Sequence, residues 1–159
     1  MAERRYLVDR DFNSFRSSAP QVVRRAMELS LLTEQGLGAL LAFRWRDVQA
    51  IGVPRDRWKI VLGRVQSRVP KKLFIGHELE GVLKACRLAE PSLPREFVLR
   101  LEDGLPLALR DFNQLWDLYM RRWVARGELR VKFSFADIRK KALADKKRRT
   151  LALPVRRGH

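Results

Sequence analysis

The sequence predicts a single domain that is mainly α-helical with a small antiparallel β-sheet, an α+β fold. Over most of the chain, apolar side chains recur at the three- and four-residue spacing of amphipathic helices. Residues 58–75 instead alternate or run apolar between turn residues, as strands do. The chain has 159 residues, 46% of them hydrophobic, which is enough for one core that folds alone.

The first part of the chain predicts two helices. Asp9 is a suitable N-cap for a short helix over residues 10–18, which carries Phe12 and Phe15 three positions apart. Pro20 suits the first turn of a second helix, because its missing N–H would have no partner there. The core-facing side of that second helix is predicted to carry Val22, Val23, Ala26 and Leu29.

The middle of the chain predicts a turn, a hairpin and another helix. Gly36 and Gly38 mark the turn, after which "ALLAFRW" resumes a short helix and "RDVQAIGVPRDR" forms a loop. The stretches "WKIVLGRVQSR" and "KKLFI" are predicted strands joined across Val69 and Pro70. Helical spacing returns in "HELEGVLKACRLAE", and "FVLRL" is either a short third strand or extended chain.

The clearest helix is predicted in "RDFNQLWDLYMRRWVARG", where Gly127 suits the C-terminal stop. Its apolar stripe is Phe112, Leu115, Trp116, Tyr119 and Trp123, which predicts core rather than a base-stacking platform. A last helix is predicted to start with Ser134 as its cap. Its buried row is predicted to be Phe135, Ile138 and Ala142.

The charge of the chain is strongly unbalanced, with 34 Lys and Arg against 18 Asp and Glu, a net charge of +16. Such an excess repels itself in a compact fold unless a polyanion lies against it, which favours nucleic acid as the partner. Two alternatives are a solvated basic surface that keeps the protein soluble and an anionic membrane surface. The densest positive run is the last predicted helix with the tail that follows it.

Cysteine, histidine and hydropathy exclude several classes. Cys86 lies inside an amphipathic helix, which predicts a small buried thiol without a disulfide partner. Two histidines and one cysteine are too few for a metal site, and His77 sits at a predicted helix start, where a capping or surface role is expected. Without a membrane-length apolar run or a signal-peptide core, the chain is expected in the cytoplasm of a bacterium, host- or phage-encoded. No cofactor is expected.

Three stretches, in this order, resemble the catalytic domain of tyrosine recombinases, especially phage integrases. The first, "MELSLLTEQGLGALLAFRWRDV", is similar to the family's "LLTGQRRGDLLALRWSDI". The second, "VQSRVPKKLFI", is similar to a hairpin with "QSKTGKKLVI", and the third, "FSFADIRKKALAD", to "FHDLRAKALTD". The resemblance covers residues 7–159, nearly the whole chain. It implies duplex DNA as the partner.

The resemblance also implies a chemistry. In this family a tyrosine hydroxyl attacks a DNA phosphodiester and forms a 3′-phosphotyrosine. Two arginines hold the non-bridging oxygens, because planar guanidinium groups match that geometry. A hairpin lysine protonates the leaving oxygen, and histidines or a tryptophan assist with protons and packing. The family needs no metal.

Position by position, the chain departs from the family pattern. Gly36 stands where the first arginine is expected, and Ala136 replaces the histidine that precedes Arg139. The hairpin lysine aligns with Arg68, which is a poor general acid because it stays charged. His159 echoes the family's "LGH" before the nucleophile. The tyrosine is expected about nine residues further on, while Tyr6 and Tyr119 lie elsewhere in the sequence.

The resemblance implies two sets of site residues. The family-equivalent catalytic positions are Arg139, Arg68 and His159, which are expected to be insufficient for catalysis. The expected DNA contacts are Arg139, Arg68, Lys71, Lys72, Lys140, Lys141, Lys146, Lys147, Arg148 and Arg149. Lys71 or Lys72 replaces the hairpin lysine only if the hairpin shifts. For Arg139, the alternative is an exposed arginine of a basic helix without a specific contact.

The leading hypothesis is therefore a DNA-binding protein on the recombinase fold that cannot cut DNA. An ordered core over about residues 7–150 and a basic tail over 150–159 are expected, without a separate core-binding domain. One alternative is an active recombinase seen as a truncated chain or completed in trans. Another is a dead subunit or interaction module that joins an intact integrase or further copies of itself.

Overall fold

The structure is a computed structural model of the chain. It describes residues 6–45, 48–49, 59–62, 71–74, 77–88, 97–101, 105–127 and 129–152. The elements in these residues are α1 (Asp9–Ser18), α2 (Gln21–Thr33), α3 (Leu37–Leu41), β1 (Val48–Gln49), β2 (Lys59–Leu62), β3 (Lys71–Phe74), α4 (His77–Leu88), α5 (Leu109–Ala125) and α6 (Phe135–Ala152). The mainly helical fold predicted from the sequence is thereby confirmed.

The helix ends correct three predictions, of which the first is Pro20: it is the N-cap of α2 instead of lying in its first turn. Asp9 is the first residue of α1 instead of its cap: Val8 takes the N-cap position without a side-chain hydrogen bond. Gly38 lies inside α3. The chain turns two residues before Gly36, at Glu34, whose φ of 60° is left-handed. Ser30 holds this turn, because its hydroxyl donates to the Gln35 carbonyl at 2.8 Å.

The three strands are antiparallel in the order β1-β2-β3. Ile60 lies opposite Val48 on one side and opposite Leu73 on the other. β1 falls in the stretch that the sequence predicted as a loop, since two residues are too few for a periodic signal. Residues 63–70, where the two predicted strands join, lie outside the described part. In residues 97–101, Phe97 and Arg100 form isolated bridges with Arg44 and Pro106, so this stretch is extended chain, the second of the two predicted alternatives.

An aromatic cluster holds the helices together. It consists of Phe15, Phe112, Trp116, Trp123, Phe133 and Phe135. Phe15 is fully buried, and its ring centroid lies 4.8 Å from that of Trp116 in an edge-to-face contact. Since Trp116 and Trp123 are buried, the α5 stripe belongs to the core, as predicted. The Trp123 indole N–H is satisfied by Ser14 Oγ at 2.9 Å.

Helix α6 packs along α2 and buries Phe135, Ile138 and Ala142, as the sequence predicted. Its start is fixed by an exchange between Ser134 and Asp137. The Ser134 N–H donates to the Asp137 carboxylate at 2.8 Å, and the Asp137 N–H donates to the Ser134 carbonyl at 3.1 Å. Asp137 therefore performs the side-chain part of the cap that was predicted for Ser134. Its negative charge also suits the N-terminal end of the helix dipole.

Among the described helices, none combines the length and the apolarity that crossing a membrane requires.

Candidate nucleic-acid interface

Arg139 lies in the second turn of α6 and is exposed to solvent. Within the described residues, no side chain or carbonyl group forms a hydrogen bond or ion pair with its guanidinium. Ala136, three residues earlier, is exposed as well and lies on the same side of the helix. The fold thus leaves the five N–H donors of Arg139 available for a ligand.

The Arg139 side of α6 faces in the direction of the turn between α2 and α3. Lys146 follows Arg139 by seven residues, which is about two helical turns, so both lie on one side of α6. The Lys146 ammonium is 3.5 Å from Oε1 of Glu34, the residue that makes the turn. Arg139 therefore lies on the side of α6 from which Lys146 reaches Glu34.

Gly36 follows in that same turn and is the N-cap of α3. Its φ of −74° and ψ of 165° are extended values that any residue adopts. A Cβ built on Gly36 would meet no atom within 4 Å. Neither conformation nor packing therefore requires a glycine here, and the position has room for a side chain.

Lys141 corrects a sequence prediction, because it does not face solvent with its neighbours. Its side chain is 1% exposed, and its ammonium lies 2.5 Å from Oδ1 of Asp9 and 3.1 Å from Oδ2 of Asp145. The same ammonium donates to the Tyr6 hydroxyl at 2.7 Å. These four residues, the Lys141 cluster, join the N-terminal segment to α6, and Lys141 is not available to DNA.

The cluster also sets the charge state of its members. Burial alone would lower the pKa of Lys141, but the hydrogen bonds that its ammonium donates to Asp9, Tyr6 and Asp145 outweigh it and hold the pKa above the ordinary 10.5. The hydrogen bond and the charge of Lys141 in turn lower the pKa of Asp9 below 3.8. At neutral pH the cluster is therefore a buried cation held by two carboxylates.

Most of the other predicted DNA contacts that the structure describes with side chains are exposed on α6. Lys140, Lys146, Lys147 and Arg148 are exposed on α6. Lys140 is 3.8 Å from Asp137, and the Arg148 guanidinium carbon lies 4.2 Å from the Tyr6 ring centroid. Lys71 and Lys72 are described only as backbone in β3, and Arg149 only as backbone in α6. Arg68 and His159 lie outside the described residues.

Sequence reasoning missed a second group of exposed cations at the end of α5 and in the loop after it. Arg121, Arg122, Arg126 and Lys132 are all exposed. The signal was present in the helical pattern, because these residues of α5 alternate with the buried Met120 and Trp123. The tryptophan stripe is the stronger signal in this helix, and the basic residues lie beside it.

Among the residues that the structure describes, the other polar groups form no second site of this kind. Burial raises the pKa of the Cys86 thiol to about 11, which leaves it protonated and unreactive at neutral pH, as predicted for a buried thiol. A cavity of about 400 Å³ between α1, α2 and α4 is lined by Arg16, Arg25, Glu28 and Glu78 together with apolar residues. Its two positive and two negative side chains balance, so it has no preference for anions. His77 begins α4.

Within the part of the chain that the structure describes, no group of three or more metal-ligating side chains comes together.

The sequence and the fold give different results in comparisons with known proteins. No protein-family model and no curated protein matches the sequence. The fold matches the catalytic core of lambda integrase with a TM-score of 0.71 and 17% identity over 92% of this chain and 85% of that one. A lambda integrase (75–356) dimer bound to a COC′ core site matches with a TM-score of 0.68 and 17% identity.

A third match is the integrase of the transposon Tn1549 in complex with circular intermediate DNA. Its TM-score is 0.68 at 11% identity, over 98% of this chain. The chain spans 53% of the lambda integrase dimer chain and 55% of the Tn1549 chain, about half of each. These similarities establish the fold, which is that of the catalytic core of integrases.

Proposed function

We propose that this chain, with the fold of an integrase catalytic core, is a protein that binds duplex DNA without cutting it. One observation carries the proposal: Arg139 is exposed and unpaired within the described residues, on the side of α6 from which Lys146 reaches Glu34. Its guanidinium is free to hold a DNA phosphate, while the two positions that would complete a cleaving site carry Gly36 and Ala136.

The charge of the chain supports DNA as the ligand. The net charge of +16 is large for a domain of this size, and much of it lies on α6 and at the end of α5. Phosphates recognised by such surfaces release counterions, so binding is strong at low salt and depends little on sequence. A planar, unpaired guanidinium adds one oriented contact to this diffuse attraction.

The internal positions support the absence of cleavage. An active member of the family is expected to carry arginine at position 36 and histidine at position 136. Removing one preorganised charge stabiliser costs about 10²–10³ in rate. The proton-handling group adds a further loss, although losses within one site are not additive. Because both positions are internal, this argument is independent of where the chain ends.

The test is DNA affinity measured by fluorescence anisotropy over a salt series. Arg139→Ala should weaken binding several-fold and reduce the slope of log affinity against log salt by about 0.9, the contribution of one phosphate. The matched control is Arg10→Ala, an exposed arginine of α1 whose nearest partner is Asp11 at 3.6 Å. Equal small losses for both variants would make Arg139 an ordinary surface charge, and no binding by the parent protein would refute the function.

Cleavage is tested separately with a nicked suicide substrate. The protein should form no covalent adduct with DNA, as judged by a denaturing gel. An adduct that disappears in Tyr6→Phe or Tyr119→Phe would contradict the proposal and would favour an active recombinase.

A second role is membership of a recombinase assembly as a subunit that does not cut. The observation that favours it is the dimeric state of lambda integrase on its COC′ core site, in a structure whose fold matches this one. Native mass spectrometry of the protein with and without duplex DNA measures it. Dimers or larger species formed on DNA are expected, and a strictly 1:1 complex at all ratios would exclude this role.

A further inference from the structure

Lys141 and Arg139 lie on nearly opposite sides of one helical turn. Successive residues of an α-helix are 100° apart, so two positions separate their side chains by about 200°. The exposed Arg139 therefore points away from the interior at the level where the buried Lys141 ammonium anchors α6 to Tyr6 and Asp9. The contacts of Lys141 on one side of this turn therefore set the direction in which Arg139 points on the other side.

Besides the buried side chains of Ile138 and Ala142, two further levels of contact anchor α6. Its first turn is held by Phe135, whose ring centroid lies 5.5 Å from those of Phe112 and Trp116. Edge-to-face ring pairs tolerate centroid distances of about 4.5–7 Å, so they restrict the rotation of the helix less than hydrogen bonds do. The second level is the Lys141 cluster, whose hydrogen bonds are directional. Arg139 lies between the two levels.

We propose that Lys141 is a positioning residue for the phosphate contact of Arg139. It acts through Tyr6, Asp9 and Asp145, which fix the rotation of α6 against the N-terminal segment. This inference rests on the proposed DNA binding and names what makes its specific contact effective. Lys141 itself does not touch DNA, because its ammonium is enclosed.

The residues around the cluster fit a positioning role. The Tyr6 hydroxyl accepts from Lys141 and donates to Asp145, so one phenol orders both side chains of α6. The ring of Tyr6 also lies under the Arg148 guanidinium, 4.2 Å away. Tyr6, in the segment before α1, thus contacts α6 from Lys141 to Arg148, over two turns. Tyr6 and Asp9 therefore contact the helix that presents Arg139 directly.

The experiment is a double-mutant cycle on DNA affinity with Lys141→Met and Arg139→Ala. Methionine keeps the length and apolar stem of lysine, and the two carboxylates that it leaves behind still reach water, since the side chains of Asp9 and Asp145 are 80% and 23% exposed. Lys141→Met should weaken binding about threefold when Arg139 is present, a coupling at the low end for linked sites. In the Arg139→Ala protein, it should have almost no effect.

Lys140→Met is the matched control, because Lys140 is the exposed neighbour and loses the same charge. Its effect should be the same with and without Arg139, as for independent sites. Additive effects of Lys141→Met and Arg139→Ala would overturn the inference while leaving the DNA-binding proposal intact. If Arg139→Ala alone has no effect, the proposed function fails first.

Tyr6→Phe repeats the cycle with a smaller change and keeps the ring that packs under Arg148. Tyr6→Phe replaces Lys141→Met in the cycle if circular dichroism and thermal unfolding show that Lys141→Met does not fold. A purely structural role would lower the melting temperature without coupling to Arg139. Coupling in the Tyr6→Phe cycle supports the inference, and its absence overturns it.

Discussion

The aromatic cluster and the Lys141 cluster both hold helices together, but by different physics. The first buries rings such as Phe15, which contacts Trp116, Trp123 and Phe133 edge to face. The second buries one ammonium between two carboxylates and a phenol. Apolar burial contributes stability roughly in proportion to area, whereas the desolvation of an ion pair offsets most of its Coulomb energy. The comparison separates what makes the fold stable from what makes it specific.

The largest effect is expected in the aromatic cluster. Phe15→Ala should lower the free energy of unfolding by about 3–5 kcal/mol, because it leaves a cavity among three rings. Chemical denaturation followed by tryptophan fluorescence measures the change. Leu129→Ala, at a side chain that is 78% exposed, is the control and should stay within about 0.5 kcal/mol of the parent. A loss below about 1 kcal/mol for Phe15→Ala would mean that the rings are not close-packed.

A smaller and asymmetric effect is expected in the Lys141 cluster. Asp9→Asn with Asp145→Asn leaves the buried ammonium without a counter-charge, which should cost about 3 kcal/mol. Lys141→Met leaves two carboxylates that reach water, since the side chains of Asp9 and Asp145 are 80% and 23% exposed. It should cost less than about 1 kcal/mol, because a carboxylate that reaches water does not need the counter-charge. The same denaturation measurements decide the order, and equal losses would contradict the burial of the cation.

The pH dependence separates the two clusters further. The pKa of Asp9 is lowered in the folded state, so its contribution is present above 3.8 and is lost as the pH falls through the folded value. The pKa of Lys141 is raised, so its contribution is present below 10.5 and is lost as the pH rises through the folded value. The difference in the free energy of unfolding between the parent and Lys141→Met should be constant between pH 3.8 and pH 10.5. It should change below the lower value and above the higher one.

Thermal unfolding across that pH range measures this prediction. Phe15→Ala is the control, because no titrating group of the aromatic cluster changes charge and its deficit should not vary in the same way. A difference between the parent and Lys141→Met that stays flat through both limits would show that Lys141 is not held by the carboxylates.

How far the sequence predicts the molecule differs in the same way between the two clusters. The buried residues of α5 and α6 follow from helical spacing alone, and the structure confirms Phe112, Trp116 and Ile138 as core. Lys141 was placed on the surface, because a lysine among lysines has no local feature that indicates burial. Its partners Tyr6 and Asp9 are 135 and 132 residues away, a pairing that only the tertiary fold creates.

The candidate site was predictable in part for the same reason. Arg139 and the substitution at Ala136 lie in one short motif, which a sequence carries in full. The relation between Arg139 and the Gly36 turn depends on the packing of α6 along α2 and on the Lys146–Glu34 ion pair. The basic edge of Arg121 and Arg126 was visible in the helical pattern, but the tryptophans of the same helix determined its interpretation.

The smallest effect is expected at the Gly36 turn, and it tests whether that turn faces the same DNA as Arg139. Gly36→Arg should fold, because the backbone there suits any residue and a Cβ would meet nothing within 4 Å. A second guanidinium beside Arg139 should then strengthen DNA binding by a few-fold and raise the salt slope by about 0.9. Cleavage should not return, since Ala136 still lacks the proton-handling group.

Gly38→Arg is the matched control for that gain. Gly38 also has open space around a Cβ, and the substitution adds the same charge two residues later, inside α3 instead of in the turn before it. If the turn and Arg139 contact one backbone phosphate region, Gly36→Arg should gain more affinity than Gly38→Arg. The excess should also shrink in the Arg139→Ala protein, because the two guanidinium groups would share a ligand. Equal gains in affinity at both glycines would mean that the turn contributes only diffuse electrostatic attraction. Arg139 would then be a single contact that the turn does not share.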